Sequence, residues 1–212
     1  MNWGLITDVT ARRKAGERLA ALVRDADYRV STGFVGTPLI LDALCLAGQP
    51  SLAFRMLLQR ECPSWLYEVT MGATTVWERW DSMLPDGSVN PGTMTSFHHY
   101  AYGSVADWMH RSIGGIAPTS AGYRTIEVRP LVTGDLAHAA AQHDSPYGTV
   151  SKDWTLASDD FSLTVIVPYG VTATVWLPGA KSGTLIGRGR HDFATRIPRD
   201  ARESDPLRLA VE

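Results

Sequence analysis

The chain has 212 residues, enough for one large domain or two smaller ones, each with its own hydrophobic core. Its 20 basic and 22 acidic residues give a formal net charge of −2 and are scattered without a basic run. A nucleic acid or an anionic membrane is therefore not an expected partner, and an uncharged ligand suits this composition better.

Two further sequence features bear on the cellular setting. No apolar run approaches the ~18 residues of a membrane span, and the N-terminus lacks the basic-then-apolar pattern of a signal peptide, so we expect a cytoplasmic location. Cys45 and Cys62 stand in neither a CxxC nor a Cys/His metal spacing. We predict no disulfide and no zinc or other metal.

The first half of the chain is predicted to be helical. Residues 7–25 place an apolar stripe among arginines and a lysine, with Thr7 or Asp8 as the cap, which predicts an amphipathic helix. Pro38 opens a second helix that runs to Leu46. Because this second helix is apolar nearly all round, we expect it to be buried.

Three more helices are predicted before residue 114 from capping and stop signals. They run from a Ser51 cap to about Arg60, from Pro63 to Gly72, and from about Phe97 to Ile113. A loop rich in proline and glycine separates the last two helices.

From Tyr123 onward the period changes to two, which predicts strands. Alternating segments cover residues 124–129, 149–156, 161–167 and 171–177. Proline and glycine separate these segments at the spacing of an antiparallel β-sandwich. After Ile197 the sequence is charged and polar, so we predict a poorly ordered tail over residues 198–212.

The stretch Gly-Ala-Thr-Thr-Val-Trp-Glu-Arg-Trp places one carboxylate, Glu78, between the indoles of Trp77 and Trp80. Large rings lower the local dielectric around an acid, and their flat faces can bind the apolar faces of sugar rings. In the alternative interpretation the two indoles lie on one helical face as core, and Glu78 pairs in solvent with Arg79 or Arg60. The residues alone leave both interpretations open.

This stretch belongs to a series of segments that resembles the bacterial α-L-rhamnosidases, glycoside hydrolase family 78. The series covers most of the chain and comprises residues 31–38, 63–67, 72–81, 94–103, 113–118, 122–124 and 145–148. The resemblance implies an α + β two-domain chain. Its residues 1–122 would supply the C-terminal helices of an incomplete (α/α)6 toroid, and residues 123–197 would form an antiparallel β-sandwich.

The resemblance also implies roles for individual residues. The glutamate of the Trp-Glu-Arg-Trp motif, here Glu78, is expected to be the general base of an inverting hydrolysis. His99 matches a substrate-contacting histidine. Trp77, Trp80 and Phe34 complete the expected substrate-binding set, and no cofactor is implied.

One catalytic group is missing from the sequence pattern. An inverting glycosidase needs two carboxyl groups, about 6.5–9.5 Å apart. In the family the general acid lies in an earlier segment rich in Asp, Glu and Trp, and nothing in residues 1–70 matches that segment. A toroid also has twelve helices, against about five predicted here.

Two hypotheses follow. In the first, the chain is the C-terminal part of an enzyme that hydrolyses terminal α-L-rhamnose from glycosides, inactive alone and expected to associate with an N-terminal complementing half or with copies of itself. In the second, it is a non-catalytic carbohydrate-binding or structural remnant.

Overall fold

The structure is a computed structural model that describes residues 6–133 and 136–198. The chain divides into two compact units between Ala106 and Asp107, and each unit is treated separately below. Most of the predicted tail, residues 199–212, lies outside the described residues.

Four α-helices organise the first unit: α1 (Val9–Asp25), α2 (Thr37–Leu46), α3 (Pro50–Leu57) and α4 (Trp65–Thr70). The α1 cap is Asp8, whose side chain accepts the N–H of Ala11 at 2.7 Å. The α2 helix carries Pro38 in its first turn, as predicted. Its buried side chains are Thr37, Ile40, Leu41, Leu44 and Cys45. The apolar side chains of α2 are thus largely buried within this unit.

The predicted start of the third helix is wrong. Gln49 occupies the cap position without a side-chain cap bond, and Ser51 lies inside the first turn. Proline has no N–H to satisfy and its φ suits the first helical position, so the helix begins at Pro50. For α4 the cap is Ser64, whose hydroxyl oxygen accepts the N–H of Tyr67 at 3.1 Å.

The predicted helix over residues 97–113 starts later than its pattern indicates. A 3-10 turn (Ala101–Ser104), a short helix α5 (Val105–Trp108) and a π-helical turn (Met109–Ile113) follow one another. Residues 97–100 stay irregular because their N–H groups bond elsewhere: that of His99 donates to the carbonyl of Val76 at 2.8 Å.

The second unit is built from eight strands in two sheets of four. The strands are β1 (Ile116–Pro118), β2 (Thr125–Val128), β3 (His138–Ser145), β4 (Gly148–Ala157), β5 (Asp160–Val167), β6 (Thr172–Val175), β7 (Thr184–Ile186) and β8 (Gly189–Arg196). One sheet has the order β1-β2-β6-β7 and the other β3-β4-β5-β8. All pairs are antiparallel except β2 with β6, which run parallel.

The four predicted strands correspond to β2, β4, β5 and β6, and their alternation explains the core. The buried apolar side chains that alternate along β4 and β5, such as Trp154 and Leu163, form one cluster with Ile126 and Val175 of the other sheet. A sandwich is therefore confirmed. The strands without a prediction are β1, β3, β7 and β8. Both β3 and β8 are edges of their sheet and contain no fully buried residue, so their pattern is weak. The strands β1 and β7 have three residues each, too few to show an alternation.

Candidate active site

The segment that carries Glu78 is irregular and lies between α4 and the 3-10 turn. Trp77 and Trp80 therefore do not share a helical face, and that version of the alternative interpretation is wrong. The alternative interpretation also expects buried indoles, and that part is correct, since Trp77 is 2% exposed and Trp80 is 7% exposed. Burial here comes from ring packing.

The two indoles have different surroundings. Trp80 stacks on Tyr102 with ring centroids 4.0 Å apart, meets Trp65 edge-on at 5.5 Å, and lines a cleft. Trp77 meets Phe97 edge-on at 5.2 Å and Tyr67 at 6.5 Å. Trp77 is buried and, unlike Trp80, is not among the residues that line the cleft, so the sugar contact expected of it stays a prediction.

Glu78 is half-buried and lies on the wall of the same cleft. Its N–H donates to the carbonyl of Ser96 at 2.9 Å, and its Oε2 accepts the N–H of Ser96 at 3.3 Å. These two bonds fix both the main chain and the carboxylate against one neighbouring residue. The other carboxylate oxygen, Oε1, is not used in this contact with Ser96.

The expected pairing of Glu78 with Arg79 does not match the bonds that Arg79 makes. Its Nε and Nη2 donate to the Asp81 carboxylate at 2.6 and 3.1 Å, and its Nη1 donates to the carbonyl of Thr93 at 3.2 Å. Asp81 also accepts from the Asn90 side chain at 2.9 Å. The guanidinium of Arg79 thus stabilises the loop that follows the Trp-Glu-Arg-Trp motif.

The cleft has a volume of about 610 Å³, within the usual range for small-molecule sites. Its walls combine the rings of Phe34, Trp80 and Tyr102 with the polar groups of Glu78 and Asp81. Apolar faces beside a few fixed polar groups are the features that bind and orient a sugar ring.

His99 joins this cleft through ring contacts. Its imidazole stacks on Phe34 at 4.9 Å with an interplanar angle of 13°, and Phe34 contacts Tyr102 at 5.0 Å. The Nδ1 of His99 accepts the N–H of Ala101 at 3.2 Å. A neutral imidazole that accepts at Nδ1 carries its proton on Nε2, which leaves Nε2–H as a donor. The structure thus brings together Phe34, Glu78, Trp80 and His99.

The sequence interpretation did not assign roles to two residues of this region. Tyr102 connects the rings of Phe34 and Trp80, and the dense aromatic run around His99 was the available signal. Cys62 lines the cleft as a free thiol, and burial, followed by the charges of Asp81 and Glu68, raises its pKa to about 11. Cys62 is therefore a thiol and not a thiolate at neutral pH.

No group of three or more His, Cys, Asp and Glu side chains within residues 6–133 and 136–198 is placed to hold a metal ion. In the same described part of the chain, none of the helices has the length and apolarity to cross a membrane.

Comparison with family models assigns a class to each part of the chain. Residues 1–113 match the bacterial α-L-rhamnosidase 6 hairpin glycosidase domain. Residues 115–192 match the bacterial α-L-rhamnosidase C-terminal domain. The helical part is thus of the six-hairpin glycosidase class, and the chain belongs to the bacterial α-L-rhamnosidase family.

Individual relatives agree with this assignment. The chain is 46% identical over 178 residues to an α-L-rhamnosidase of Streptomyces avermitilis and 38% identical over 174 residues to one of Formosa agariphila. These alignments cover 84% and 82% of this chain, but 17% and 19% of the relatives.

Solved structures give the same result. The native α-L-rhamnosidase of Aspergillus terreus matches with a TM-score of 0.86 and 44% identity, over 89% of this chain and 22% of that one. The Streptomyces avermitilis α-L-rhamnosidase complexed with L-rhamnose matches with a TM-score of 0.83 and 40% identity, over 89% of this chain and 20% of that one. The chain therefore spans about a fifth of the length of these relatives.

Proposed function

We propose that this chain contributes the general base of an inverting α-L-rhamnosidase, with Glu78 as that base. The observation that carries the proposal is the position of the Glu78 carboxylate on the wall of an aromatic cleft within a six-hairpin glycosidase domain. The rhamnose complex of the Streptomyces avermitilis relative supports a rhamnoside as substrate.

In this mechanism the Ser96 N–H holds Oε2 of Glu78, and Oε1 accepts a proton from water. The oxygen of that water forms a bond to the anomeric carbon while the glycosidic C–O bond breaks on the opposite face, which inverts the configuration. The leaving oxygen takes a proton from a general acid, which we place outside these 212 residues. Glu78 therefore acts from its ionised state.

The surrounding side chains would bind and orient the sugar. The Nε2–H of His99 donates to a sugar hydroxyl, while the rings of Phe34 and Trp80 contact the apolar faces of the sugar. Trp77 keeps the segment in place from the core.

The test is a chimaera in which this chain replaces the aligned segment of the Streptomyces avermitilis enzyme. In that chimaera we expect Glu78→Gln to lower kcat on an aryl α-L-rhamnoside by about 10²–10⁴-fold, since water loses its proton acceptor. Rhamnose binding should persist. The first-formed sugar, observed by proton NMR, should be the β anomer.

Glu61→Gln is the matched control, because Glu61 is an exposed carboxylate that pairs with Arg29. Its kcat should equal that of the parent chimaera. Near-normal turnover by Glu78→Gln would disprove the assignment. A correctly folded chimaera that binds rhamnose without hydrolysing the rhamnoside would favour the alternative, a non-catalytic carbohydrate-binding or structural remnant.

A further inference from the structure

A buried acid, Glu68, accepts a hydrogen bond from the residue that precedes the candidate base. It belongs to α4, is 4% exposed, and is the only buried acidic or basic side chain in residues 6–106, all of which the structure describes. Buried carboxyl groups are rare unless they are bonded. The bonds of Glu68 therefore indicate its role.

Glu68 connects α4 to the residue that precedes the base. Its Oε2 accepts the N–H of Trp77 at 3.2 Å, and its main-chain carbonyl accepts the N–H of Ala73 at 3.0 Å. The next N–H along the chain, that of Glu78, donates to Ser96 at 2.9 Å. Two successive amides are thus held by different residues, that of Trp77 by Glu68 and that of Glu78 by Ser96.

The second oxygen of Glu68 leaves part of its bonding capacity unused. Oε1 is buried and has no hydrogen-bond partner. Burial raises the pKa of Glu68 to about 7, and the bond from the Trp77 N–H opposes this rise without cancelling it. The acid therefore changes its charge near neutral pH. Only the ionised form makes a charge-assisted bond to the Trp77 amide.

The groups that face Glu68 belong to the cleft. Its negative charge contributes, after burial and Asp81, to the raised pKa of Cys62, and after burial to the raised pKa of Tyr102. Both residues line the cleft that contains Glu78. Glu68 itself is too buried to contact a substrate, so its influence must pass through the main chain.

We propose that Glu68 is a positioning residue for the Glu78 carboxylate, because its buried side chain fixes the Trp77 amide and hence the peptide that leads into the base. This inference rests on the proposed function of Glu78. Loss of the acceptor should let that peptide shift, and a displacement of about 1 Å at a catalytic group can cost on the order of 10²-fold in rate.

The test uses the chimaera described above, with saturating aryl rhamnoside over pH 5 to 9. The pH profile of kcat for the parent chimaera should have an ascending limb with its midpoint near pH 7, because Glu68 ionises there. Glu68→Gln keeps one acceptor oxygen but is neutral at every pH, like protonated Glu68, so its kcat should equal the low-pH level of the parent, within about threefold of the high-pH level, and the limb should be lost. Glu68→Ala should lower kcat by about 10–100-fold with little change in KM. Glu61→Gln should keep both kcat and the limb.

Each outcome decides between specific alternatives. A parent limb near pH 7 that persists in Glu68→Gln, or an unchanged kcat in folded Glu68→Ala, would overturn the positioning role. If Glu68→Ala does not fold, the pH profile of Glu68→Gln still decides. The Glu78→Gln variant separates the two proposals. If Glu78→Gln remains active, the proposed function fails. If Glu78→Gln is inactive and Glu68→Ala is unaffected, the positioning role of Glu68 fails and the proposed function of Glu78 stands.

Discussion

At the residue scale, two buried charged side chains stand out among the described residues, Glu68 in the helical unit and Lys152 in the sandwich. Lys152 Nζ donates to the carbonyls of Ile113 at 3.4 Å and Ala139 at 3.2 Å, and lies 5.4 Å from the Trp154 ring. Burial lowers the pKa of Lys152 to about 7. The sandwich core thus contains a lysine that loses its proton at a much lower pH than an ordinary lysine does.

The pH dependence of stability that Lys152 should cause can be tested. Between pH 7 and about 10.5 the unfolded lysine is protonated and the folded one is largely neutral, so the free energy of unfolding should rise with pH across this window. Lys152→Met removes this dependence and should stabilise the sandwich at pH 7 more than at pH 9. Native-state amide exchange of β4 and β5 measures the difference. Lys181→Met, at an exposed lysine, leaves Lys152 in place and should therefore keep the rise of the free energy of unfolding with pH.

At the element scale, two turns of the sandwich share the tripeptide Pro-Tyr-Gly, at residues 146–148 and 168–170. They also pack together. Gly148 has φ +115°, and a Cβ at this position would lie 3.2 Å from the Cβ of Pro168. A side chain at residue 148 would therefore make a tight contact with Pro168, in a backbone conformation that favours glycine.

Gly148→Ala should accordingly destabilise the sandwich. An alanine there adopts a backbone conformation that costs about 1–3 kcal/mol and must also displace Pro168. Gly187→Ala is the matched control, since a Cβ at that position meets nothing within 4 Å. Amide exchange measures the free energy of unfolding of each variant. Equal values for the two variants would show that the close approach of the turns contributes nothing to the stability of the sandwich.

At the scale of the whole molecule, the two units differ in how completely they bury apolar side chains. The sandwich closes one core between its sheets. Among the described residues, the exposed large apolar side chains of the helical unit are Val9, Leu22, Val35, Leu58, Val69, Val89, Met94 and Tyr100. Those of the second unit are fewer, namely Met109, Tyr147, Ile166, Tyr169 and Leu185. A closed toroid would supply further helices around this unit, and the four α-helices described up to residue 106 do not complete one.

We therefore expect the isolated chain to behave as two bodies of unequal stability. Amide exchange should be slow in β2, β4, β5 and β6 and fast in α1–α4, and sedimentation should show self-association. If a complementing half is the natural partner, addition of the N-terminal part of the Streptomyces avermitilis enzyme should slow amide exchange in the helices. A compact monomer with uniformly slow exchange over residues 7–113 would show that the helices close a sufficient core.

The sequence determined the features that depend on near neighbours. The α1 cap at Asp8, the proline-led start of α2 and the period-two strands β4 and β5 each follow from residues a few positions apart. The motif of nine residues drew attention to Glu78, and the resemblance over most of the chain gave Glu78 its expected role as a base. The succession of helices and then strands followed in the same way.

The tertiary structure decided whatever depends on partners distant in sequence. Residues 97–100 leave the helix because Val76 accepts a bond from His99, and β3 and β8 exist because neighbouring strands pair with them. Trp77 and Trp80 look equivalent in the motif, yet one packs into the core and the other lines the cleft. The bond of Glu68 to Trp77, on which its proposed role rests, likewise appears only in the folded chain, because burial and hydrogen-bond partners are properties of the packed chain and not of a local pattern.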